Sequence, residues 1–486
     1  MEISLLYRSK NDTPTGGIGR DTVDRLALRR LIEGLHLSGS DAEYCLRTLS
    51  APLFNAEDIA YRRKILQDFA ENPALLDELD RIWDRLSRLR KDQADLKKEK
   101  RAAIRTARGE AVPDAAKNLL QAAGLTLKRC LLLLDAAKRT LHACALTSQG
   151  LCRLKNELEE VTSPAIHPSL LRLCTQMEQY SEISGVAIRL RLNDGGAVVA
   201  CDLMDRQSIP FSIPEAKKKR FLFGKRESDS VSAAAVDLRS CPLRSNLRAE
   251  AMQSLADLAD RVSAALFDRF LTAGRELSFY RAALCYTEWL REKDVPTCFA
   301  ELGGEVIAFE RLYDPLLLQT MDAKMITPND LSGDSARGLL ITGANGSGKT
   351  VWLRSVGLMQ IFTQAGRPSP ARSAQVPLYR QIYTHFSSGE KELTADERAG
   401  RFEQEVRELA AMLDEIGTNG LVLLNETFQT TAYREGAEGL SHILRYLTEG
   451  GNRWILTTHL TELSVHLDSG ELTALRADHT HRIQPI

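Results

Sequence analysis

A short apolar run, Leu339 to Thr342, leads directly into Gly343-Ala344-Asn345-Gly346-Ser347-Gly348-Lys349-Thr350, and a helical run, Val351 to Phe362, follows. The loop matches GxxxxGK[ST] in full and sits between a strand and a helix, where that pattern has a mechanical meaning. Glycines let backbone N–H groups come close to phosphate oxygens, and the following helix turns its positive N-terminal end to the same anion. The spacing therefore predicts a site for ATP with Mg2+. Gly343, Ala344, Asn345, Gly346, Ser347 and Gly348 would cradle the phosphates. Lys349 would reach the β- and γ-phosphates, and the Thr350 hydroxyl would serve Mg2+.

Such a site needs an acid near the metal and a group that orients water. A second apolar strand, Leu421 to Leu424, ends in Asn425-Glu426, and a third, Trp454 to Thr458, runs into His459. Glu426 is placed to hold the water; the plainer reading is an exposed glutamate at a strand end. Asn425 stands where an aspartate would help hold Mg2+. An amide oxygen accepts a hydrogen bond from metal-bound water but carries no charge, so weaker Mg2+ binding or slow turnover is expected. His459 either senses the γ-phosphate or is structural.

The rest of the chain sets these motifs at the end of a longer protein. With 486 residues, 43% hydrophobic and 27% charged, it is large enough for several domains and has the balance of a soluble globular protein. The formal net charge of −1 argues neither for nor against nucleic acid, so any basic surface is local. Nine cysteines without a CxxC pair read as reduced thiols of a cytosolic protein. Met1 to Arg8 lacks a signal-peptide core, and Cys130 to Leu134 is too short to span a bilayer, so no membrane association is expected.

Residues 20–55 read as short helices with turn signals at Ser38-Gly39-Ser40 and Pro52. Residues 56–108 hold Ile65, Phe69, Leu75, Leu79, Ile82, Leu86 and Leu89 at helical spacing. From Arg85 to Arg108 the helix is dense in charge and expected to be mostly exposed. Gly109 to Pro113 breaks the pattern, and residues 114–183 resume it with a loop near Pro164 and Pro168. Two long helices of opposed direction are the economical reading. Val186 to Leu192, the turn Asp194-Gly195-Gly196 and Ala197 to Cys201 read as a β-hairpin. A further helical region covers Leu247 to Lys293, with Gly274 its only glycine. After Pro296, short strands alternate with helices and glycine turns, as in an α/β nucleotide-binding domain.

The ordered segments from Tyr313 to Leu463 resemble the MutS family of DNA mismatch-repair ATPases. The likeness lies in Asn329-Asp330-Leu331, Leu340 to Thr350, Ala365-Gly366 to Ala371, Gln381 to Thr384, Leu421 to Thr431 and Thr457 to His459. A weaker likeness to the family's helical core and lever includes Leu49 to Leu53, Tyr61-Arg62-Arg63 and Glu71-Asn72-Pro73. The resemblance implies an α/β P-loop ATPase domain following a mainly α-helical core/lever region with a small β insert. It divides the chain into 1–185 (helical core and lever, first half), 186–243 (small β/basic clamp-like insert), 244–300 (returning lever helix) and 301–486 (ATPase domain).

The resemblance also assigns residues. The adenine-stacking position falls on Met325 beside Ile326, where methionine packs against a purine with less orientation than an aromatic ring. The family's Ser-Thr-Phe signature reads Gly400-Arg401-Phe402 here, with Glu405 retained. Arg401 or Arg398 either replaces that contact across a homodimer or is a solvated arginine. No Phe-x-Glu wedge or mismatch-reading domain is expected before residue 20, and the family's C-terminal dimerisation segment is not expected before Ile486. Lys217, Lys218, Lys219, Arg220, Lys225 and Arg226, interleaved with Phe221 and Phe223, lie where the family carries its DNA clamp and suit a loop that tracks a phosphate backbone. The expected partner is double-stranded DNA, mismatched or branched, and the expected activity a slow Mg2+-dependent ATPase. An ATP-binding, non-hydrolysing scaffold for protein or RNA is the competing reading. An SMC- or ABC-type ATPase is disfavoured, because the nearest match to their Ser-Gly-Gly signature is Ser388-Gly389-Glu390.

Overall fold

A computed structural model describes residues 3–8, 17–19, 21–35, 37, 39–106, 111–179, 188–192, 198–203, 242–387, 395–428, 433–459, 463 and 472–485. The chain forms two compact units, each drawn from separated segments. One comprises Arg81–Thr140 and Asn156–Leu271; the other comprises Glu2–Asp80, Leu141–Lys155 and Thr272–Ile486.

The helices begin with α1 (Thr22–Arg25), α2 (Leu28–Glu33), α3 (Gly39–Leu49), α4 (Ala56–Glu71) and α5 (Pro73–Thr106). They continue with α6 (Ala111–His142), α7 (Gln149–Val161), α8 (His167–Glu178) and α9 (Pro242–Glu292). The helical periodicity of residues 56–183 thus resolves into five helices rather than two. Pro73 opens α5, because a proline without an N–H costs nothing where the N–H would be unpaired. The break before α7 has a tertiary cause. The Asp68 carboxylate, from α4, accepts the N–H of Ser148 at 2.8 Å and the hydroxyl of Thr147 at 2.7 Å, so a distant side chain caps this helix start.

In the first unit, apolar faces of α6, α8 and α9 close on one another through Leu119, Leu120, Leu127, Leu131, Cys174, Met177, Met252 and Ala256. The charged half of α5 runs antiparallel to α9 and pairs with it: Arg90 to Asp268 at 2.5 Å, Lys97 to Asp260 at 3.0 Å and Arg101 to Asp257 at 2.7 Å. That helix is therefore laced to a neighbour along one side. The hairpin forms as β2 (Ile188–Leu192) antiparallel to β3 (Val198–Leu203), and its Asp194-Gly195-Gly196 turn lies outside the described residues.

The second unit holds the α/β part. Its strands are β1 (Gly17–Ile18), β4 (Glu301–Leu302), β5 (Ile307–Leu312), β6 (Asn329–Asp334), β7 (Gly338–Gly343), β8 (Ser373–Val376) and β9 (Gln381–Phe386). Then come β10 (Gly420–Asn425), β11 (Arg453–Thr457), β12 (Leu472–Ala477) and β13 (Ile483–Pro485). Its later helices are α10 (Pro315–Thr320), α11 (Lys349–Gln364), α12 (Ala395–Glu415) and α13 (Tyr433–Glu449). A seven-stranded sheet has the order β1-β9-β10-β11-β7-β12-β13, parallel throughout except for β13. A smaller sheet has the order β4-β8-β5-β6.

Alternation along the strands decides which helix covers which face. Val422 and Leu424 of β10 join Leu456 of β11, Leu409 and Met412 of α12, and Leu440 and Leu444 of α13 in one core. Leu423 points the other way, toward α11. There Gly357 permits the approach: a Cβ at that position would lie 2.6 Å from a Leu423 methyl. Parallel strands covered on both faces are nearly fully apolar, as β7, β10 and β11 are. Among the described residues, no helix is long and apolar enough to cross a membrane.

Candidate functional site

The sheet order brings the C-terminal ends of β7, β11 and β10 side by side. Register pairs Asn425 with Thr457 and Thr457 with Ile341, so the residues that follow each strand emerge at one edge. Open parallel sheets bind ligands at that edge.

At the end of β7 the chain turns through Gly343 (φ 151°), Gly346 (φ 75°) and Gly348 (φ 91°) before α11 begins at Lys349. A Cβ on Gly343 would sit 2.7 Å from the Ala477 carbonyl oxygen of β12, so this position admits glycine alone. Gly348 occupies the N-cap of α11, which no side chain caps, so the loop ends at the positive end of the helix. The Ser347 hydroxyl is buried in the loop without a hydrogen-bond partner.

Lys349 is only 4% exposed. Its Nζ donates to the carbonyl oxygens of Gly343 at 2.9 Å and Ala344 at 3.1 Å, and it lies 3.3 Å from Glu426 Oε1. The same Glu426 oxygen stands 2.9 Å from His459 Nε2. That contact has the imidazole N–H donating to the carboxylate. Nε2 then has no lone pair to accept from Lys349 Nζ at 3.3 Å, so Lys349 and His459 share Glu426 rather than bond to each other. Next to them the amide oxygen of Asn425 accepts two hydroxyls, Thr350 at 2.7 Å and Thr457 at 2.8 Å.

Five residues singled out in the sequence, Lys349, Thr350, Asn425, Glu426 and His459, thus converge at the mouth of the loop. Met325 closes a 3-10 turn ahead of β6 and is 74% exposed, while Ile326 is buried. Neither is among the hydrogen-bonded members of the cluster. Lys217, Lys218, Lys219, Arg220, Lys225 and Arg226 lie outside the described residues. Arg398, Gly400, Arg401 and Phe402 fall in the first turns of α12.

The turn after β10 has supports that no motif announced. Glu426 (φ 54°) and Phe428 (φ 64°) both occupy the left-handed region, uncommon for residues other than glycine. The Glu426 N–H donates to the Thr457 carbonyl at 2.9 Å. Thr427 Oγ1 lies 3.1 Å from His385 Nδ1, whose ring burial and the Arg25 charge push down to a pKa of about 4. Neutral at ordinary pH, His385 stays a hydrogen-bonding strut. The β12–β13 turn brings His481 against the loop, where a Cβ on Gly348 would lie 3.5 Å from that of His481. Lone histidines far along the chain give no local signal of such placement.

Residues 339–481 match the family model for MutS domain V, an ATPase domain, and residues 55–293 match the MutS2 N-terminal domain. The sheet edge, the glycine loop, Glu426 and His459 all lie within the stretch that matches domain V. With the helical region matched as well, the chain belongs to the MutS family. An Endonuclease MutS2 of Acetivibrio thermocellus is 30% identical over 148 residues, 30% of this chain and 18% of the relative. A DNA mismatch repair protein MutS of Thermosynechococcus vestitus is 35% identical over 152 residues, 31% of this chain and 17% of the relative. The Bacillus subtilis MutS is 29% identical over 190 residues, 36% of this chain and 22% of the relative. These matches cover less than a quarter of the relatives' own length.

Proposed function

We propose that this chain is an ATP-binding and slowly ATP-hydrolysing protein of the MutS type that acts on mismatched, branched or distorted double-stranded DNA. The observation that carries the reading is the convergence of Lys349, Glu426 and His459 on a glycine loop at a helix N-terminus. A lysine buried this deeply among carbonyl oxygens and one carboxylate is poised for a stronger anion, and the orphaned Ser347 hydroxyl faces the same loop. The residues fit a triphosphate. The loop N–H groups from Gly343 to Gly348 would hold it, Lys349 would neutralise the β- and γ-oxygens, and His459 would meet the γ-phosphate. Glu426 would orient the water.

The metal end fits with one charge missing. Thr350 and Asn425 offer the hard oxygen atoms that Mg2+ prefers, but no carboxylate. When bound there, Mg2+ would screen the charge that builds between the β- and γ-phosphates. With Asn425 neutral, turnover is expected to be slow. Met325, exposed beside the buried Ile326, would support the adenine face. The names of the relatives, DNA mismatch repair protein and endonuclease, support duplex DNA as the partner and give no support to a non-hydrolysing scaffold. A homodimer that shares Arg398 or Arg401 across subunits completes the proposal.

Steady-state phosphate release, measured with perfect, mismatched and branched duplexes, tests the reading. Slow Mg2+-dependent hydrolysis that DNA alters is expected, and a rate no higher than that of Lys349→Ala would sink it. In parallel, neutralising Lys217 to Arg220 should weaken DNA binding and flatten its salt dependence by up to about 3–4 in log–log slope. Unaltered affinity and slope would remove that loop from the interface.

A further inference from the structure

Glu405, on α12, is 7% exposed and lies in the same unit as the loop. One oxygen accepts the Ser387 hydroxyl at 2.5 Å, and the other accepts the backbone N–H of Phe428 at 3.1 Å. Ser387 in turn donates its own N–H to the Asn425 carbonyl at 3.0 Å. These bonds form a closed loop around the turn that carries Glu426: Asn425 carbonyl, Ser387, Glu405, Phe428 N–H, and back along the chain through Thr427 and Glu426.

That turn is strained. Two residues other than glycine, Glu426 and Phe428, hold left-handed backbone there, a conformation that persists only where surroundings hold it. Phe428 is buried, so its N–H would lose a partner inside the protein if Glu405 let go. From this geometry we infer that Glu405 is a positioning residue for Glu426. It clamps the turn from α12 and so fixes the carboxylate that faces Lys349 and His459. The role rests on the proposed ATPase reading for its catalytic consequence, but the clamp itself is a property of the folded chain. Glu405 touches neither Lys349 nor His459 in its hydrogen bonding, so its effect on the reaction passes through the backbone of the turn.

The test pairs Glu405→Gln with Glu405→Asp in the full chain. Glutamine keeps the length and an acceptor for the Phe428 N–H, and the Ser387 hydroxyl can turn to accept from its amide. Aspartate keeps the charge but is one methylene short. Three quantities are read: amide hydrogen exchange of a peptide spanning Leu424 to Phe428 without nucleotide, affinity for a fluorescent ATP analogue, and kcat. Glu405→Asp should speed exchange in that peptide and lower kcat by about ten- to a hundredfold, since misplacing a catalytic group by about 1 Å has that effect, with nucleotide affinity unchanged. Glu405→Gln should stay within about threefold of wild type, having kept the acceptor. Exchange in Glu405→Asp equal to wild type overturns the clamp, and an unchanged kcat overturns the positioning role. A wild type that hydrolyses no faster than Lys349→Ala overturns the ATPase reading, and the positioning role with it, while the exchange measurement reports on the clamp separately.

Discussion

Replacing Glu276 with glutamine should change how stability depends on pH in the unit that holds the site. Glu276, on α9, is 1% exposed. Its carboxylate accepts the Ser4 hydroxyl at 2.7 Å, the Leu6 N–H at 3.2 Å and the Leu5 N–H, and so anchors the first described segment of the chain. Burial nevertheless dominates these donors and the Arg62 charge, and lifts its pKa from 4.5 to about 7. The folded protein thus holds a proton that the unfolded chain gives up. Glu276 contributes its full stability below about pH 4.5 and loses about 3 kcal/mol of it as pH rises to about 7. His385 has the opposite sign. With its folded value depressed from 6.5 to about 4, its contribution is complete above about pH 6.5 and is lost, by a similar amount, as pH falls toward 4. In wild type the two slopes oppose each other across the shared window.

Glu276→Gln removes one of them and leaves a near-isosteric acceptor for Leu5 and Leu6. Stability of variant minus wild type cancels every other titrating group. It should rise by about 3 kcal/mol between pH 4.5 and 8. Urea unfolding followed by tryptophan fluorescence, with Trp289, Trp352 and Trp454 reporting on this unit, measures it. A difference that stays constant within about 1 kcal/mol over that range would show that burial does not govern this carboxylate.

Glu426→Gln keeps the hydrogen bond from His459 but removes the charge that orients water, so it should trap bound ATP with little loss of affinity; turnover equal to wild type would assign the water to another group. Asn425→Asp restores a charge beside Thr350 while keeping both hydroxyl partners. It should lower the Mg2+ concentration needed for half-maximal hydrolysis by about tenfold, in line with the strength of charge-assisted contacts, and a Mg2+ titration unchanged from wild type would refute a metal role for position 425.

How far the sequence could be read depended on how local the cause was. The strand, glycine loop and helix from Gly338 to Gln364 were legible because each residue answers to its neighbours: an unbroken apolar run, glycine freedom, a helix start. The strand ends at Asn425-Glu426 and His459 were legible once the loop said what to look for. The helical region was legible in type but not in number. Its break before α7 comes from Asp68, whose carboxylate reaches Thr147 and Ser148 from another helix.

By itself, then, the sequence determined the phosphate-type loop, the α/β character of the final third and the candidates Lys349, Thr350, Asn425, Glu426 and His459. Tertiary structure alone decided that these five meet, because strand order and register, set by burial of both sheet faces, place β7, β11 and β10 next to one another. It also decided what holds Glu426 in place. The Phe428 N–H cannot be left unpaired inside the protein, and its acceptor, Glu405, arrives on a helix whose sequence gives no sign of the bond.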